Sequence, residues 1–302
     1  MAGLEAFGEE LKSLISGKVI VREPLERHTS YRVGGPADLY VVPSSRKSLK
    51  ITLKWTVEKR LPVFIIGKGT NLLVSDAGFR GVVIDLRKCC RNWIRSGNRV
   101  TIGSGWILMK ALEQLAEEGL SGFEALYGIP GTVGGALHIN AGAFGTEISD
   151  HLVEAEVMDL TGDVHKIEAD ALDFGYRRGI KNPGWVILSG TFELEKGCTE
   201  EIRERMRQIL DRRREKQPLS RASAGSVFKR PPGHYAGALI QGAGLKGFRH
   251  GNALVSRKHA NFVINTGGAK AGEIKELIEI VRSGVFKKYG VALDLENELI
   301  GW

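Results

Sequence analysis

The chain has 302 residues, enough for about two domains of roughly 150 residues with cores of their own, which excludes a small disulfide-stapled scaffold. Hydrophobic residues at 42% and charged residues at 26% are the balance of a folded globular protein, not of a disordered or fibrous chain. Forty-three Lys and Arg against 35 Asp and Glu leave a charge of +8, which favours anionic partners such as phosphates, carboxylates or nucleic acid without choosing among them.

Met1–Ile15 sets Glu5, Glu9, Glu10 and Lys12 among its apolar residues, which is incompatible with a secretory signal. Helical spacing is present over Leu11–Ile15, at Leu49, Leu53 and Val57, and at Ile107, Leu108, Ala111, Leu112 and Leu115. It returns at Ile202, Met206, Ile209 and Leu210, and at Ile274, Leu277, Ile278, Val281 and Val285. Apolar runs predict strands at Leu39–Val42, Val63–Ile66, Val82–Leu86, Val100–Ile102, Val153–Leu160, Trp185–Leu194, Phe262–Ile264 and Val291–Leu295. The longest stretch free of Asp, Glu, Lys and Arg, Ala125–Thr146, contains Pro130, His138, Asn140 and repeated glycines, so no membrane span is expected. At Glu195–Glu201 a strand gives way to a charged helix with a Thr199 N-cap and a basic last turn before Pro218, which places a domain change near residue 200.

Cys89 and Cys90 are adjacent and Cys198 is remote, so no C-x-x-C pair or disulfide framework exists and a reducing, cytoplasmic compartment is expected. The seven histidines show no metal-ligand spacing, and no metal is expected. The basic helix Arg203–Lys216 could meet a polynucleotide, but its interspersed glutamates and the lack of stacking aromatics fit a solvated face better.

Glycine is the unusual count, 39 residues or close to twice the usual ~7%. The strand Val63–Ile66 runs into Gly67-Lys68-Gly69-Thr70-Asn71-Leu72-Leu73, whose backbone N–H groups suit an anion; a tight strand-ending turn is the other reading, since Leu72 stands where a dinucleotide fingerprint needs glycine. A second loop, Gly128-Ile129-Pro130-Gly131-Thr132-Val133-Gly134-Gly135-Ala136, is followed by Asn140-Ala141-Gly142-Ala143. Two such loops could serve a pyrophosphate and a flat ring, or could simply let layers pack closely.

Together with Tyr31-Arg32-Val33-Gly34-Gly35-Pro36-Ala37-Asp38, Tyr176-Arg177, Arg213 to Pro218, Ala224-Gly225-Ser226-Val227-Phe228-Lys229, Ala243 to Gly247, His259 to Asn265 and Leu295-Glu296-Asn297-Glu298, these loops resemble the UDP-N-acetylenolpyruvoylglucosamine reductase family over about residues 28–301. The resemblance implies an α+β fold: a vanillyl-alcohol-oxidase (PCMH-type) FAD-binding domain over 1–198, in two subdomains of about 1–75 and 76–198. An α/β substrate-binding domain over 199–302 would follow, its C-terminal segment returning to the flavin site. It further implies reduction of UDP-N-acetylglucosamine enolpyruvate by NADPH through FAD, in a cytoplasmic monomer without nucleic-acid or membrane partners. The short run from Arg177 to residue 200 matches the branch of the family without a tyrosine-bearing insertion.

By resemblance, FAD contacts fall on Tyr31, Gly67, Gly69, Thr70, Asn71, Leu72, Gly128, Pro130, Gly131, Thr132, Gly134, Gly135, Asn140, Ala141, Gly142 and Arg213, and substrate contacts on Tyr176, Lys216, Lys229 and Arg230. Ser226 takes the proton-donor position, where a turn or cap serine would be the bland reading. Arg177 is the carboxylate clamp and Glu298, chosen over Glu296, the acid near the enolate; both could otherwise be surface charges. The chain departs from the family at Gly179 and Lys181, where Ser and Phe are usual, and at Arg230, which replaces an amide. An FAD-dependent oxidase of the same fold, which would lack this trio, and a basic nucleic-acid binder are the alternatives.

Overall fold

The computed structural model describes residues 2–302; Met1 lies outside them. Among the described residues all five stretches with helical spacing are helices: α1 (Ala2–Leu14), α2 (Arg46–Glu58), α3 (Leu108–Glu117), α5 (Thr199–Lys216) and α7 (Ala271–Tyr289). Two shorter ones, α4 (Val133–Ile139) and α6 (Ala236–Gly242), each span seven residues rich in Gly and Ala, too short and too small-sided to show a period.

The helix ends follow backbone chemistry. Ser45 Oγ accepts from the Ser48 N–H (3.1 Å) to start α2, whose buried stripe runs through Leu49, Leu53 and Trp55 and leaves the expected Val57 exposed. Thr199 is the first helical residue of α5 instead of its cap. Asp76 receives the N–H groups of Ala271 and Gly272 (both 2.9 Å) at the start of α7, an anion at the positive end of the helix dipole. Gly290, at φ +67°, closes α7 in the left-handed conformation that glycine adopts without steric cost. Seven of the eight expected strands form; Val291–Leu295 does not, and only Leu295 makes a bridge, to Phe228.

Two compact units divide the chain. One comprises the segment ending at Glu23, Asp38–Lys68 and Gly81–Asp211; the other comprises Pro24–Ala37, Gly69–Arg80 and Arg212–Trp302. The division at the C-terminal side falls inside α5, after Asp211, not at residue 199, because Ile202 and Met206 on its first turns are buried in the core of the first unit. The two short N-terminal segments of the second unit carry no compositional mark, which is why a single cut near residue 200 was the natural expectation.

The first unit holds two larger sheets beside two two-stranded ones. Its four-stranded sheet has the order Gly17–Pro24, Pro36–Pro43, Phe79–Asp85, Val63–Ile66, with the last two parallel and Val63 opposite Val82. The strand Phe79–Asp85 therefore carries this first layer beyond residue 75. Leu39, Val41, Leu49, Leu53, Val82 and Ile84 fill its core. The five-stranded antiparallel sheet has the order Val164–Glu168, Leu152–Asp159, Trp185–Glu193, Arg99–Gly103, Trp93–Ser96 and packs on α3 and α4 through Leu112, Leu115, Leu137, Val157 and Phe192. The second unit sets a three-stranded sheet (Arg249–His250, Ala253–Val255, Val263–Asn265) against α6 and α7, around Ile240, Val255, Ile274, Leu277 and Val281. Among the described residues no helix is long and apolar enough to cross a membrane.

Gly179 explains one departure from the family pattern. A Cβ there would lie 2.0 Å from the Leu137 carbonyl oxygen and 2.6 Å from the Asn140 nitrogen, so the chain after Arg177 runs flush against the C-terminal turn of α4. Ile180 N–H seals that contact by donating to the same Leu137 carbonyl (3.0 Å). Gly179→Ala is expected to cost about 1–3 kcal/mol, the usual range for overpacking. Urea unfolding against Gly184→Ala, whose nearest new neighbour is 3.4 Å away, checks it; equal midpoints would contradict the packing.

Candidate active site

In the first unit the two glycine loops touch. Thr132 caps α4, its Oγ1 accepting from the Gly135 N–H (3.2 Å), and a Cβ on Gly67 would lie 2.4 Å from that same Oγ1. The backbone N–H groups of Gly67, Lys68 and Gly69 are given no protein acceptor among the described residues, so this turn keeps the successive donors that an anion needs. The Gly128–Ala136 loop differs from that expectation. Ile129, Val133, Gly134 and Ala136 donate to the carbonyls of Leu126, Trp106, Ser104 and Thr132, which leaves little for a phosphate. What it offers is bare backbone: Gly135 is exposed, and the nearest atom to a Cβ there is 3.4 Å away, a surface on which a flat ring can lie. Gly128 and Gly131 turn the loop at φ +86° and +146°.

Asn140 was expected to meet the cofactor, but its side chain is fully buried and spent on the protein. It sits left-handed at the end of α4, its Nδ2 donating to Glu147 Oε2 (2.7 Å) and to the Gly175 carbonyl (3.1 Å), while Oδ1 accepts from Ser149 N–H (3.3 Å). It thereby anchors the two-residue turn Tyr176-Arg177, which Gly175 and Arg178 close with a reciprocal pair of hydrogen bonds (2.9 Å each). Ala141 is buried, its N–H bonded to the Ala136 carbonyl (2.8 Å). Arg177 adopts φ +53°, a strained conformation for a non-glycine residue, of order 1–3 kcal/mol, that clusters at functional sites. Its Nη2 donates to the Gly142 carbonyl (3.0 Å) and its guanidinium lies 5.1 Å from the centre of the exposed Tyr176 ring.

In the second unit the C-terminal strand Glu298–Ile300 runs parallel to Leu72–Val74, with Glu298 opposite Leu72 and its N–H donating to the Asn71 carbonyl (2.9 Å). Between Ser226 and Glu298 sits a residue that sequence reasoning missed. Asn297, 4% exposed, donates through Nδ2 to Asn71 Oδ1 (2.9 Å), Ala224 O (2.9 Å) and Ser226 O (3.2 Å), and its Oδ1 accepts from Tyr31 Oη (3.1 Å). Tyr31 and Asn71 are thus parts of this buried knot: the Tyr31 side chain has no exposed surface, burial raises its hydroxyl pKa, and Asn71 spends Nδ2 on the Glu296 carbonyl (2.9 Å). Leu72 is buried in the strand. The one sequence signal for Asn297 was an amide set between two acids at the chain's end.

Ser226 is half-buried, follows Gly225 (φ +75°) and bridges Phe262. Asn261 fixes the next peptides, giving Nδ2 to the Phe228 carbonyl (2.8 Å) and accepting the Phe228 N–H (3.0 Å). A Cβ on Gly69 would lie 2.0 Å from the His28 carbonyl, and the Ser30 hydroxyl beside this turn is buried with no partner, an orphaned polar atom of the kind a bound polar group satisfies. Thr70 is half-buried and Pro130 exposed. Arg213 is buried, whereas Lys216 is exposed, Lys229 is half-buried, and Arg230 stacks on Tyr235 at 4.1 Å from the ring centre. Within the first unit, the Gly67-Lys68 turn and the bare glycine surface fit FAD.

Comparison with known proteins agrees with a flavin-binding fold. An FAD binding domain model matches residues 37–168, and the model of the UDP-N-acetylenolpyruvoylglucosamine reductase C-terminal domain matches residues 217–300. The crystal structure of 6-hydroxy-D-nicotine oxidase from Arthrobacter nicotinovorans shares the fold at 14% identity (TM-score 0.62, covering 94% of this chain and 89% of that one). This is a two-subdomain vanillyl-alcohol-oxidase (PCMH-type) flavoprotein with a C-terminal substrate-binding domain. UDP-N-acetylenolpyruvoylglucosamine reductase from Caldanaerobacter subterraneus is 43% identical over 299 residues, 98% of this chain and 99% of that protein. The corresponding crystal structure from Thermus caldophilus superposes with a TM-score of 0.83 at 37% identity, covering 94% of this chain and 99% of that one. The chain belongs to the UDP-N-acetylenolpyruvoylglucosamine reductase family.

Replacing Asn297 by Ala strands the Tyr31 hydroxyl, Asn71 Oδ1 and the Ala224 carbonyl in the interior. At ~1–3 kcal/mol for each unsatisfied group, the loss is expected to reach several kcal/mol even after partial relaxation. A thermal or urea midpoint within experimental error of wild type would show that the knot is dispensable.

Proposed function

We propose that Ser226, Arg177 and Glu298 carry the reaction of this family, the NADPH-dependent reduction of UDP-N-acetylglucosamine enolpyruvate to UDP-N-acetylmuramate in peptidoglycan precursor synthesis. The chain is an FAD-dependent oxidoreductase. The Gly67–Leu72 turn, the Gly128–Gly135 loop, Gly142 and Arg213 would hold FAD, which when bound would supply hydride transfer between NADPH and the alkene carbon of the enolpyruvyl ether.

The chain's own task is to hold the substrate carboxylate and to manage the charge and proton at the neighbouring carbon. Arg177 suits the first part. Its guanidinium is tethered to the Gly142 carbonyl and braced on Tyr176, so its planar fork loses little freedom when it meets a carboxylate in two parallel hydrogen bonds. Reduction at one alkene carbon leaves an enolate at the other, a strong base, to which the Ser226 hydroxyl delivers a proton. Glu298 stabilises that enolate through its carboxyl. The observation that carries this reading is the Asn297 carboxamide, which binds the Ser226 carbonyl while the next residue, Glu298, pairs beside Leu72, so the backbone under donor and acid is held around one buried side chain. Tyr176, Lys216, Lys229 and Arg230 serve the UDP-sugar; stacked on Tyr235, Arg230 presents a cation where the family has an amide. The free thiols of Cys89, Cys90 and Cys198 support a cytoplasmic setting.

Ser226→Ala is expected to leave flavin reduction by NADPH unchanged and to slow reoxidation by the enolpyruvyl substrate by ~10²–10⁴ in stopped-flow absorbance, the usual worth of a positioned proton donor. Unaltered reoxidation would remove Ser226 from the mechanism. Glu298→Gln is expected to lose far more turnover than Glu296→Gln; equal losses would shift the assignment of the acid.

A further inference from the structure

The vicinal cysteines take no part in the reaction, yet they are held as a pair. Their Sγ atoms are 3.5 Å apart, Cys90 is fully buried, and Cys89 keeps partial solvent contact. The backbone around them is pinned. The Cys90 N–H donates to the Leu86 carbonyl (3.3 Å), its carbonyl accepts from Gly105 N–H (2.8 Å), and Cβ atoms on Gly103 or Gly105 would lie 2.4 and 2.8 Å from that same oxygen. Just upstream, Asp85 is buried and clasped by the Arg87 guanidinium (2.7–3.0 Å) and by Tyr40 Oη (2.8 Å), which fixes the turn that presents the cysteines.

Which reagent fits two sulfurs held this way follows from their spacing. A disulfide requires them to close to about 2.05 Å across consecutive residues, whose Cα atoms lie ~3.8 Å apart, short of the ~4.4 Å minimum usual for disulfides. Zinc needs four donors, and among the described residues no group of three or more His, Cys, Asp or Glu is placed to hold a metal ion. By contrast, two thiolate bonds of about 2.3 Å opening at roughly 100° from a single centre set their sulfurs about 3.5 Å apart.

We propose that Cys89 and Cys90 form a two-sulfur chelating site for a thiophilic electrophile that accepts two thiolates, the chemistry of a trivalent organoarsenical. In the step, each thiol gives up its proton, the As=O group exchanges its oxygen for two As–S bonds, and the oxygen leaves as water. Arsenic remains trivalent, so neither oxidant nor reductant is consumed. Cys89, the sulfur with solvent contact, meets the reagent first, and the buried Cys90 closes the chelate.

Chelation has a path to the cofactor loop. Ser104, between the two glycines that flank the Cys90 carbonyl, accepts the Gly134 N–H (2.9 Å), and a Cβ on Gly134 would sit 2.7 Å from Ser104 Cβ. The contact has no slack, so a strained Cys90 displaces Gly134. This consequence rests on the Gly128–Ala136 loop meeting FAD; the chelation itself does not.

The test treats FAD-loaded enzyme with phenylarsine oxide and reads intact mass and free thiols after denaturation. One bound phenylarsenic group is expected, with free thiols falling from three to one. The adduct should withstand excess 2-mercaptoethanol and dissociate with 2,3-dimercaptopropanol. Cys198→Ser should bind equally, because its thiol is remote and exposed; Cys89→Ser and Cys90→Ser should not retain the adduct. Should Cys90→Ser fail to fold, the partly exposed Cys89→Ser decides alone. Release by the monothiol, retention in Cys89→Ser, or binding only by unfolded protein would overturn the site. FAD uptake by arsenical-treated apoenzyme should be at least tenfold slower than by untreated apoenzyme; an unchanged rate would overturn the link to Gly134. Neither the mass nor the thiol count depends on where the flavin binds, so failure of the cofactor reading would remain distinguishable from failure of the chelation site.

Discussion

The Asn297 carboxamide is the constraint on which the second unit depends. One buried side chain satisfies acceptors from the Gly69–Arg80 segment, from the loop bearing Ser226, and a donor from Tyr31. Three chain segments, each more than 70 residues from Asn297 in sequence, therefore meet at its single amide. A buried polar network of this kind is favourable only when complete, because each member left alone keeps its desolvation cost. That all-or-none character fixes the backbone on which Ser226 and Glu298 stand.

The first unit solves a different problem, the close approach of backbone to its neighbouring chain segments. Gly67 against Thr132, Gly134 against Ser104 and Gly179 against α4 are sites where a single Cβ would collide with its neighbour. The resulting surface separates two tasks that look identical in sequence: the Gly67 turn keeps its N–H groups available, whereas the Gly128–Ala136 loop has spent most of its own on internal carbonyls. Arg177 adds stored strain at the tip of a two-residue turn, supported from beneath by Asn140.

Much of this was legible in the residues. The long helices were readable because an apolar face repeats every three to four positions regardless of context, and the strands because β-branched runs between turn signals have few other uses. The assignment of Ser226, Arg177 and Glu298 rests on a resemblance, since one serine, one arginine and one glutamate have no distinguishing local pattern. Asn140, Asn71 and Tyr31 show how such a transfer blurs: all three lie on the cofactor loops or beside them, yet their side chains face inward to hold the protein together.

By itself the sequence determined the long helices, most of the strands and the family, because these depend on local spacing and on motifs in order. It could not determine that residues 24–37 and 69–80 join the C-terminal unit, that Val291–Leu295 forgoes a ladder, or that two adjacent thiols are fixed 3.5 Å apart. Those outcomes were decided by tertiary structure, because hydrogen-bond partners and excluded volume are set by residues distant in the chain, and no local pattern records which distant group will arrive.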